Sequence, residues 1–311
     1  MVHGLLLVKK PKDITSHQLV ARARRILKTQ EIGHAGTLDP LASGLMILLV
    51  GEATKLSDYV LNGDKGYRVK AQLGLTTDTL DITGQVLSQS PVTQTNDEIA
   101  AAVATMVGEF QWPVPMFSAV KTEGKKLYEL ARQNKFIDTP VKKMKFWDLK
   151  VIEISNHFVV AELCCTKGSF IRTWADQLGM KLGCGAVVAE LDRTFSSPYR
   201  STDATTLEQI ETWVGAGVTP EEWGAAYVPL KMALPKWRAF TVRGRDEKLL
   251  VSGQVSHDLA RRLIVEQKEA TETQKIVGIK IVSAQNGALL SLIEAQPNRG
   301  LKIRRVFKVL G

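Results

Sequence analysis

Gly33-His34-Ala35-Gly36-Thr37-Leu38-Asp39-Pro40-Leu41-Ala42-Ser43-Gly44 gathers three glycines, a histidine, a carboxylate and a proline into one turn-forming segment. It lies between a basic helical pattern over residues 16–28 and an apolar run over residues 45–50. Glycine reaches backbone angles closed to other residues, and Pro40 fixes the chain just after Asp39. A loop built this way holds a carboxylate rigidly where a substrate can come close. An isolated Asp-Pro in a turn would be read as an ordinary cap or Asx-turn. The density of special residues over the whole string points instead to a chemical role for Asp39.

On either side of this loop two kinds of segment alternate. Apolar and alternating runs predict strands at residues 5–8, 45–50, 67–75, 141–154, 158–165 and 186–191. Helical spacing of Leu19, Val20, Ala23, Ile26 and Leu27 predicts a helix over 16–28. A second helix is predicted over 97–110 behind an Asn96 cap, with Ile99, Val103, Met106, Val107 and Phe110 on one face. Further helices are expected at 124–134, 170–182 and 207–214. The mixture lacks a regular βαβ period, so an α+β fold around a largely antiparallel, mixed sheet flanked by helices is expected. A stretch with Pro, Gly and Trp at 215–237 reads as a transition to a small β-rich C-terminal module, with strands near 278–282 and 289–294. The expected division is a catalytic domain over 1–238 and a second domain over 239–311.

Composition narrows the function classes. With 44% apolar residues in 311, the chain buries a substantial core. Lys and Arg number 41 against 32 Asp and Glu, a net charge of +9 that favours a polyanionic partner, nucleic acid first. No apolar run approaches a membrane span, and the apolar stretch before Lys9 is too short for a signal peptide, so a cytoplasmic location away from membranes is expected. Cys164, Cys165 and Cys184 form neither a disulfide framework nor a Cys-x-x-Cys metal site, and the five histidines show no ligand spacing. No metal and no cofactor are expected.

The twelve-residue string closely resembles the signature of the TruB family of tRNA pseudouridine-55 synthases, through Gly33, His34, Gly36, Leu38, Asp39, Pro40, Ala42 and Gly44. Other family motifs follow in order: Lys9-Lys10-Pro11 with Thr15-Ser16, Lys65-Gly66-Tyr67, and Thr76-Thr77-Asp78-Thr79 with Asp81 and Gly84. Further on stand Pro113-Val114-Pro115-Met116-Phe117-Ser118-Ala119-Val120-Lys121, Gly168-Ser169-Phe170-Ile171-Arg172 and Leu191-Asp192-Arg193. The resemblance implies a pseudouridine synthase catalytic domain with a PUA-like, RNA-binding C-terminal domain. It implies that Asp39 is the nucleophile, Arg172 the partner that keeps it ionised, and Tyr67 a residue that lies against the uracil and acts as a base. His34, Phe170 and Leu191 would complete the nucleotide site, with Phe170 standing where the family usually carries Tyr. A basic insertion, residues 121–145, would grip RNA backbone through Lys121, Lys125, Arg132, Lys142 and Lys143.

The implied reaction is cofactor-free isomerisation of the T-loop uridine at tRNA position 55, on the T-arm, by a monomer with no obligatory protein partner. Attack at C6 of the base and at C1′ of the ribose both remain open. Two rivals share the motifs: a guide-RNA-dependent enzyme acting on ribosomal RNA, and a non-catalytic tRNA-binding or folding protein. Binding alone would need none of Asp39, Tyr67 and Arg172. A metal-dependent hydrolase using His34 and Asp39 lacks further ligands at suitable spacing.

Overall fold

The computed structural model describes residues 2–308 apart from Glu123, Asn134 and Phe136. In chain order the strands of the first half are β1 (Gly4–Lys10), β2 (Ile32–His34), β3 (Ser43–Val50), β4 (Lys65–Leu73), β5 (Leu75–Thr77), β6 (Val86–Gln89) and β7 (Gly108–Pro113). They continue with β8 (Lys121–Thr122), β9 (Lys125–Lys126), β10 (Val141–Ile154), β11 (Phe158–Cys165), β12 (Ala186–Ser196), β13 (Tyr199–Arg200) and β14 (Tyr227–Pro229). A C-terminal group follows: β15 (Arg238–Val242), β16 (Val277–Ser283), β17 (Leu289–Gln296) and β18 (Gly300–Val306). The helices are α1 (Ser16–Ile26), α2 (Ser57–Leu61), α3 (Asn96–Ala104), α4 (Leu127–Ala131), α5 (Ile171–Leu182) and α6 (Leu207–Gly215), then α7 (Arg245–Val251), α8 (His257–Arg262) and α9 (Ile264–Thr273).

Ten strands form one sheet in the order β14-β1-β3-β12-β4-β11-β10-β7, with β2 on β3 and β13 on β12. Every pairing in it is antiparallel except β3 with β12, which run parallel over Ser43–Asp192 and Gly44–Arg193 only. The central strands β1 and β3 are buried on both faces, which is why they read as unbroken apolar runs. Leu6, Val8, Met46 and Leu48 face a core completed by α1, α3, α5 and α6, while Leu5, Leu7, Ile47 and Leu49 face a second core on the other side. Thr15 closes α1 with a capping box: its hydroxyl accepts from Gln18 N, and the Gln18 side chain accepts from Thr15 N.

The C-terminal strands form a separate four-stranded sheet, β15-β16-β17-β18, in which β15 and β16 are parallel. That connection carries α7, α8 and α9, helices that the expectation of a merely β-rich module left out. This connection buries Leu250, Leu259, Leu263 and Ala270 against Ile279, Ile281 and Ile293 in a third core. Leu289, Leu292 and Phe307 of this unit pack into the second core of the large sheet. Polar contacts seal the joint: Lys55 Nζ donates to Val306 O at 2.9 Å, and Lys308 N donates to the Glu52 carboxylate at 2.9 Å.

Two predicted helices differ. The one expected over 97–110 ends at Ala104, its cap is Thr95 and not Asn96, and the box is closed by Glu98. Gly108 then opens β7, where Phe110 pairs with Met144 and its ring stacks on Trp112 at 4.1 Å. Phe110 and Trp112 alternate at period two, and the helical match of Phe110 was a coincidence of spacing. The helix expected over 124–134 is confined to Leu127–Ala131, since Gly124 turns the β8–β9 hairpin at φ +82°, and Asn134 lies outside the described residues. Among the described residues, no helix is long and apolar enough to cross a membrane.

Helix α5 lies so close to the start of β12 that a Cβ on Gly179 would overlap the backbone of Gly185 and Ala186. Gly179→Ala should therefore separate helix and strand and cost about 3 kcal/mol or more, through overpacking of backbone against backbone. Urea unfolding checks this; a loss below about 0.5 kcal/mol would show that α5 adjusts freely.

Candidate active site

The loop between β2 and β3 is braced from below by groups that its own residues do not supply. Ser16 Oγ both accepts from Leu38 N at 2.9 Å and donates to Leu38 O at 3.0 Å. Pro40 O accepts from Asp13 N at 2.8 Å and from Lys10 Nζ at 3.2 Å, and Lys10 Nζ also donates to Pro11 O and Ile14 O. Arg193, on β12, donates through Nε to Leu45 O at 2.7 Å and through its two terminal nitrogens to Gly36 O and Thr37 O. Gly44, at φ +100°, lies against the Arg193 backbone, where a Cβ would stand 2.5 Å from the carbonyl oxygen. The loop is thus fixed at 36–38, at 40 and at 44–45, and Asp39 rises between these points.

Arg172 reaches Asp39 from the first turn of α5. Its Nε lies 2.9 Å from Asp39 Oδ2, and its terminal nitrogens donate to Thr79 O and Phe117 O, each at 2.9 Å. The arginine side chain is 6% exposed while the aspartate keeps 40%, so the carboxylate is open to a ligand and the cation is not. Asp81 Oδ2 stands 3.9 Å from Arg172 on another side. The other oxygen of Asp81 accepts from Thr79 Oγ1, Thr83 N and Thr83 Oγ1.

Tyr67 sits on β4 opposite Leu163 of β11 and Arg193 of β12. With side chains alternating along a strand, Tyr67, Val69, Leu191 and Arg193 share the face that carries the helices. Burial pushes the Tyr67 phenol above its ordinary pKa, and neighbouring Arg193 acts against that rise. Phe170 caps the start of α5 and packs, half-buried, on the same core as Leu191. His34, at the end of β2, meets His17 edge to face with ring centres 5.7 Å apart. Burial lowers the His34 pKa, and His17 adds to the effect.

The basic side chains stand apart from this cluster. Lys121 and Lys125 are exposed on the β8–β9 hairpin, which begins just after the segment whose Phe117 carbonyl holds Arg172. Arg132 follows α4 and lies over the Tyr128 ring at 5.4 Å, with Lys126 over the same ring. Lys142 and Lys143 are exposed on β10, and Lys143 Nζ is 2.6 Å from Glu109, which partly neutralises it. Asp81, Arg193 and Lys10 also belong to the site, beyond the residues expected there, and stand in the motifs Thr76–Gly84, Leu191–Arg193 and Lys9–Pro11. Nothing in those short, largely polar motifs tells which groups the three charges touch. Among the described residues no group of three or more His, Cys, Asp or Glu side chains is placed to hold a metal ion.

Lys10 and Lys65 are buried lysines whose ammonium groups rest on backbone carbonyls, Lys65 on Gly63 O at 2.6 Å. Burial brings each of them down to about 8 from the ordinary 10.5. Between those values the unfolded chain binds more protons than the folded one, so this contribution to stability rises as pH increases from about 8 to 10.5. Lys10→Met and Lys65→Met should each show a smaller gain in stability than the unaltered chain between about pH 7.5 and about pH 9.5. Urea unfolding at the two pH values measures it, and an unchanged gain would place these ammonium groups in water.

The chain is similar to known proteins over most of its length. The family model described as TruB family pseudouridylate synthase (N terminal domain) matches residues 24–171, and the model of the tRNA pseudouridylate synthase B C-terminal domain matches residues 172–227. A tRNA pseudouridine synthase B of Bdellovibrio bacteriovorus is 48% identical over 307 residues, covering 98% of this chain and 97% of that protein. One from Alkaliphilus oremlandii is 41% identical over 210 residues, covering 68% of this chain and 70% of its own. Among solved structures, a chain from an H/ACA RNP bound to a substrate RNA containing 2'-deoxyuridine superposes with a TM-score of 0.68 at 19% identity, covering 98% of this chain and 85% of that one, which is a likeness of fold. With two family models matching consecutive segments and a relative alike over nearly its whole length, the chain belongs to the TruB family of pseudouridylate synthases.

Proposed function

We propose that this chain isomerises uridine 55 in the T-loop of tRNA to pseudouridine, with Asp39 as the nucleophile. The observation that carries the reading is the accessible Asp39 carboxylate held at 2.9 Å by an arginine that is itself buried and hydrogen-bonded to two loops. Isomerisation breaks the C1′–N1 bond, turns the uracil and joins C1′ to C5, so the elements of the substrate are conserved and no cofactor is consumed. A fixed carboxylate serves this chemistry by adding covalently to the nucleotide, at C1′ or at C6, and leaving again. Arg172 fixes the direction of that carboxylate.

The target uridine lies within a folded loop and must be extruded, at a cost of a few kcal/mol of lost stacking. Tyr67 offers an aromatic face near the catalytic loop, and contact with an aromatic ring returns about 1–3 kcal/mol per base. Phe170 and Leu191 wall the base, and His34 takes part in binding the flipped nucleotide region. Tyr67 receives the proton that C5 loses when the new bond is complete. The exposed Lys121, Lys125, Arg132, Lys142 and Lys143 bind phosphates of the T-arm, which positions the RNA without reading its sequence. A catalytic domain over residues 1–238 is joined by a PUA-like RNA-binding domain over 239–311. In the latter, Arg299 and Lys302 are exposed, whereas Arg304 and Arg305 are engaged with Glu294 and Asp58. The protein works as a cytoplasmic monomer without a protein partner.

Unmodified tRNA incubated with the protein in EDTA should acquire pseudouridine at the T-loop uridine, mapped by chemical modification and primer extension. Asp39→Asn should lose product by a factor of at least a thousand while tRNA affinity stays within several-fold. Turnover near that of the unaltered chain would remove Asp39 from the mechanism.

Replacing Lys121, Lys125, Arg132 and Lys142 by Gln should flatten the salt dependence of binding, each lost phosphate contact lowering the log–log slope by roughly 0.7–0.9. Lys143→Gln should lower it less, because Glu109 already shares that charge. An unchanged slope in the fourfold variant would show that these side chains are simply solvated.

A further inference from the structure

Arg193 is 1% exposed, and among the described residues no carboxylate lies within ion-pair distance of it. Its three hydrogen bonds go to backbone carbonyls, and two of them are long, at 3.3 Å to Gly36 O and 3.4 Å to Thr37 O. Carbonyl dipoles repay little of the desolvation of a guanidinium, so a buried cation of this kind is a poor device for stability alone. Its position is specific. It is the cross-strand partner of Tyr67 on one side and of Gly44 on the other, and it bonds both ends of the loop that carries Asp39.

The titratable groups that act electrostatically on the Tyr67 phenol come from three elements: Arg193 from β12, Cys165 from β11 and Asp39 from the loop. Burial pushes the Cys165 thiol up to about 12, which leaves it neutral. Lys65, on the same strand as Tyr67, lies near Arg193. Burial and the nearby carboxylate both oppose a negative charge on the phenol oxygen, and Arg193 is the group that favours it.

We propose that Arg193 is a positioning residue for the reaction, holding the Asp39 loop against the strand that carries Tyr67 and supplying the positive charge beside which Tyr67 ionises. The proposal rests on the reading of Tyr67 as the base. In that step the C5–H bond breaks, its electron pair restores the uracil ring, and the proton passes to the Tyr67 phenolate. The N1 freed from C1′ takes a proton from water, and the phenol returns its own to water before the next turnover. Arg193 makes and breaks no bond to the substrate.

Single-turnover rates on unmodified tRNA, measured from about pH 6 to about pH 10, test this in the full chain. Arg193→Gln keeps a donor toward the loop carbonyls and removes the charge. With folding verified by circular dichroism, its rate at neutral pH should fall at least tenfold and the rising limb of its profile should move up by one pH unit or more. Arg193→Lys, which keeps the charge, should lose rate but hold the limb within half a unit. A folded Arg193→Gln with the limb unmoved would overturn the proposal and leave Arg193 a structural residue. If Arg193→Gln fails to fold, Arg193→Met is read in the same way, and failure of both to fold would overturn the proposal too. Tyr67→Phe separates the two levels: if it retains rate and limb, the assignment of Tyr67 as base fails whatever Arg193 does.

Discussion

The ion pair between Asp39 and Arg172 is the contact on which the rest of the site depends. One guanidinium ties the first turn of α5 to the Asp39 loop, to the Thr79–Thr83 turn through Thr79 O and Asp81, and to the segment before β8 through Phe117 O. Four pieces of chain far apart in sequence therefore share one planar set of donors. Because the carboxylate keeps 40% of its exposure, the pair adds little to stability, on the order of 1 kcal/mol or less. Its value is geometric. Removing the carboxylate still leaves the arginine bonded to two carbonyls and close to Asp81, so the charge that is held in place is also the one the fold can most easily do without.

The surrounding architecture explains why such a loop can be rigid. The large sheet is covered on both faces, by α1, α3, α5 and α6 on one side and by the C-terminal unit through Leu289, Leu292 and Phe307 on the other. Strands β1 and β3 are consequently clamped, and the loop that feeds β3 inherits their fixed position. The parallel contact of the sheet, Ser43–Asp192 and Gly44–Arg193, lies at the root of this loop. There the N-terminal strands meet β12, and side chains from distant segments, Arg193, Lys10 and Ser16, converge on the backbone of residues 36–45. Buried cations serve here as hydrogen-bond donors to a loop whose carbonyls have no ladder partner.

Legibility in the sequence followed the strength of local periodicity. The strands over 141–154 and 158–165 have the bounds expected of them, since long alternating or apolar runs allow few readings. The segment after Ala104 was misjudged because Met106 and Phe110 continue a helical spacing that a glycine at φ +128° ends. The helices α7 to α9 were missed for the opposite reason. They are short, from six to ten residues, and their apolar positions make sense only against a sheet contributed by the chain on either side of them. In the site, Asp39 was legible from the glycines and the proline around it, and Arg172 from its motif. Asp81, Lys10 and Arg193 were visible as charges, with nothing local to say what they touch.

By itself the sequence determined the elements whose cause is local: apolar strands, capped helices, and a loop in which Gly36 and Gly44 reach positive φ while Pro40 restricts the chain after Asp39. It also determined which residue types were available for chemistry. What tertiary structure alone decided is which charges meet. Arg172 is 133 residues from Asp39 in the chain, and Arg193 bonds the carbonyl of Leu45 across 148. Such contacts follow from the order in which strands pair, and pairing order is set by the burial of whole faces. The identity of a carboxylate can be read from its neighbours in sequence; its electrostatic partner, its exposure and its supports are properties of the packed sheet.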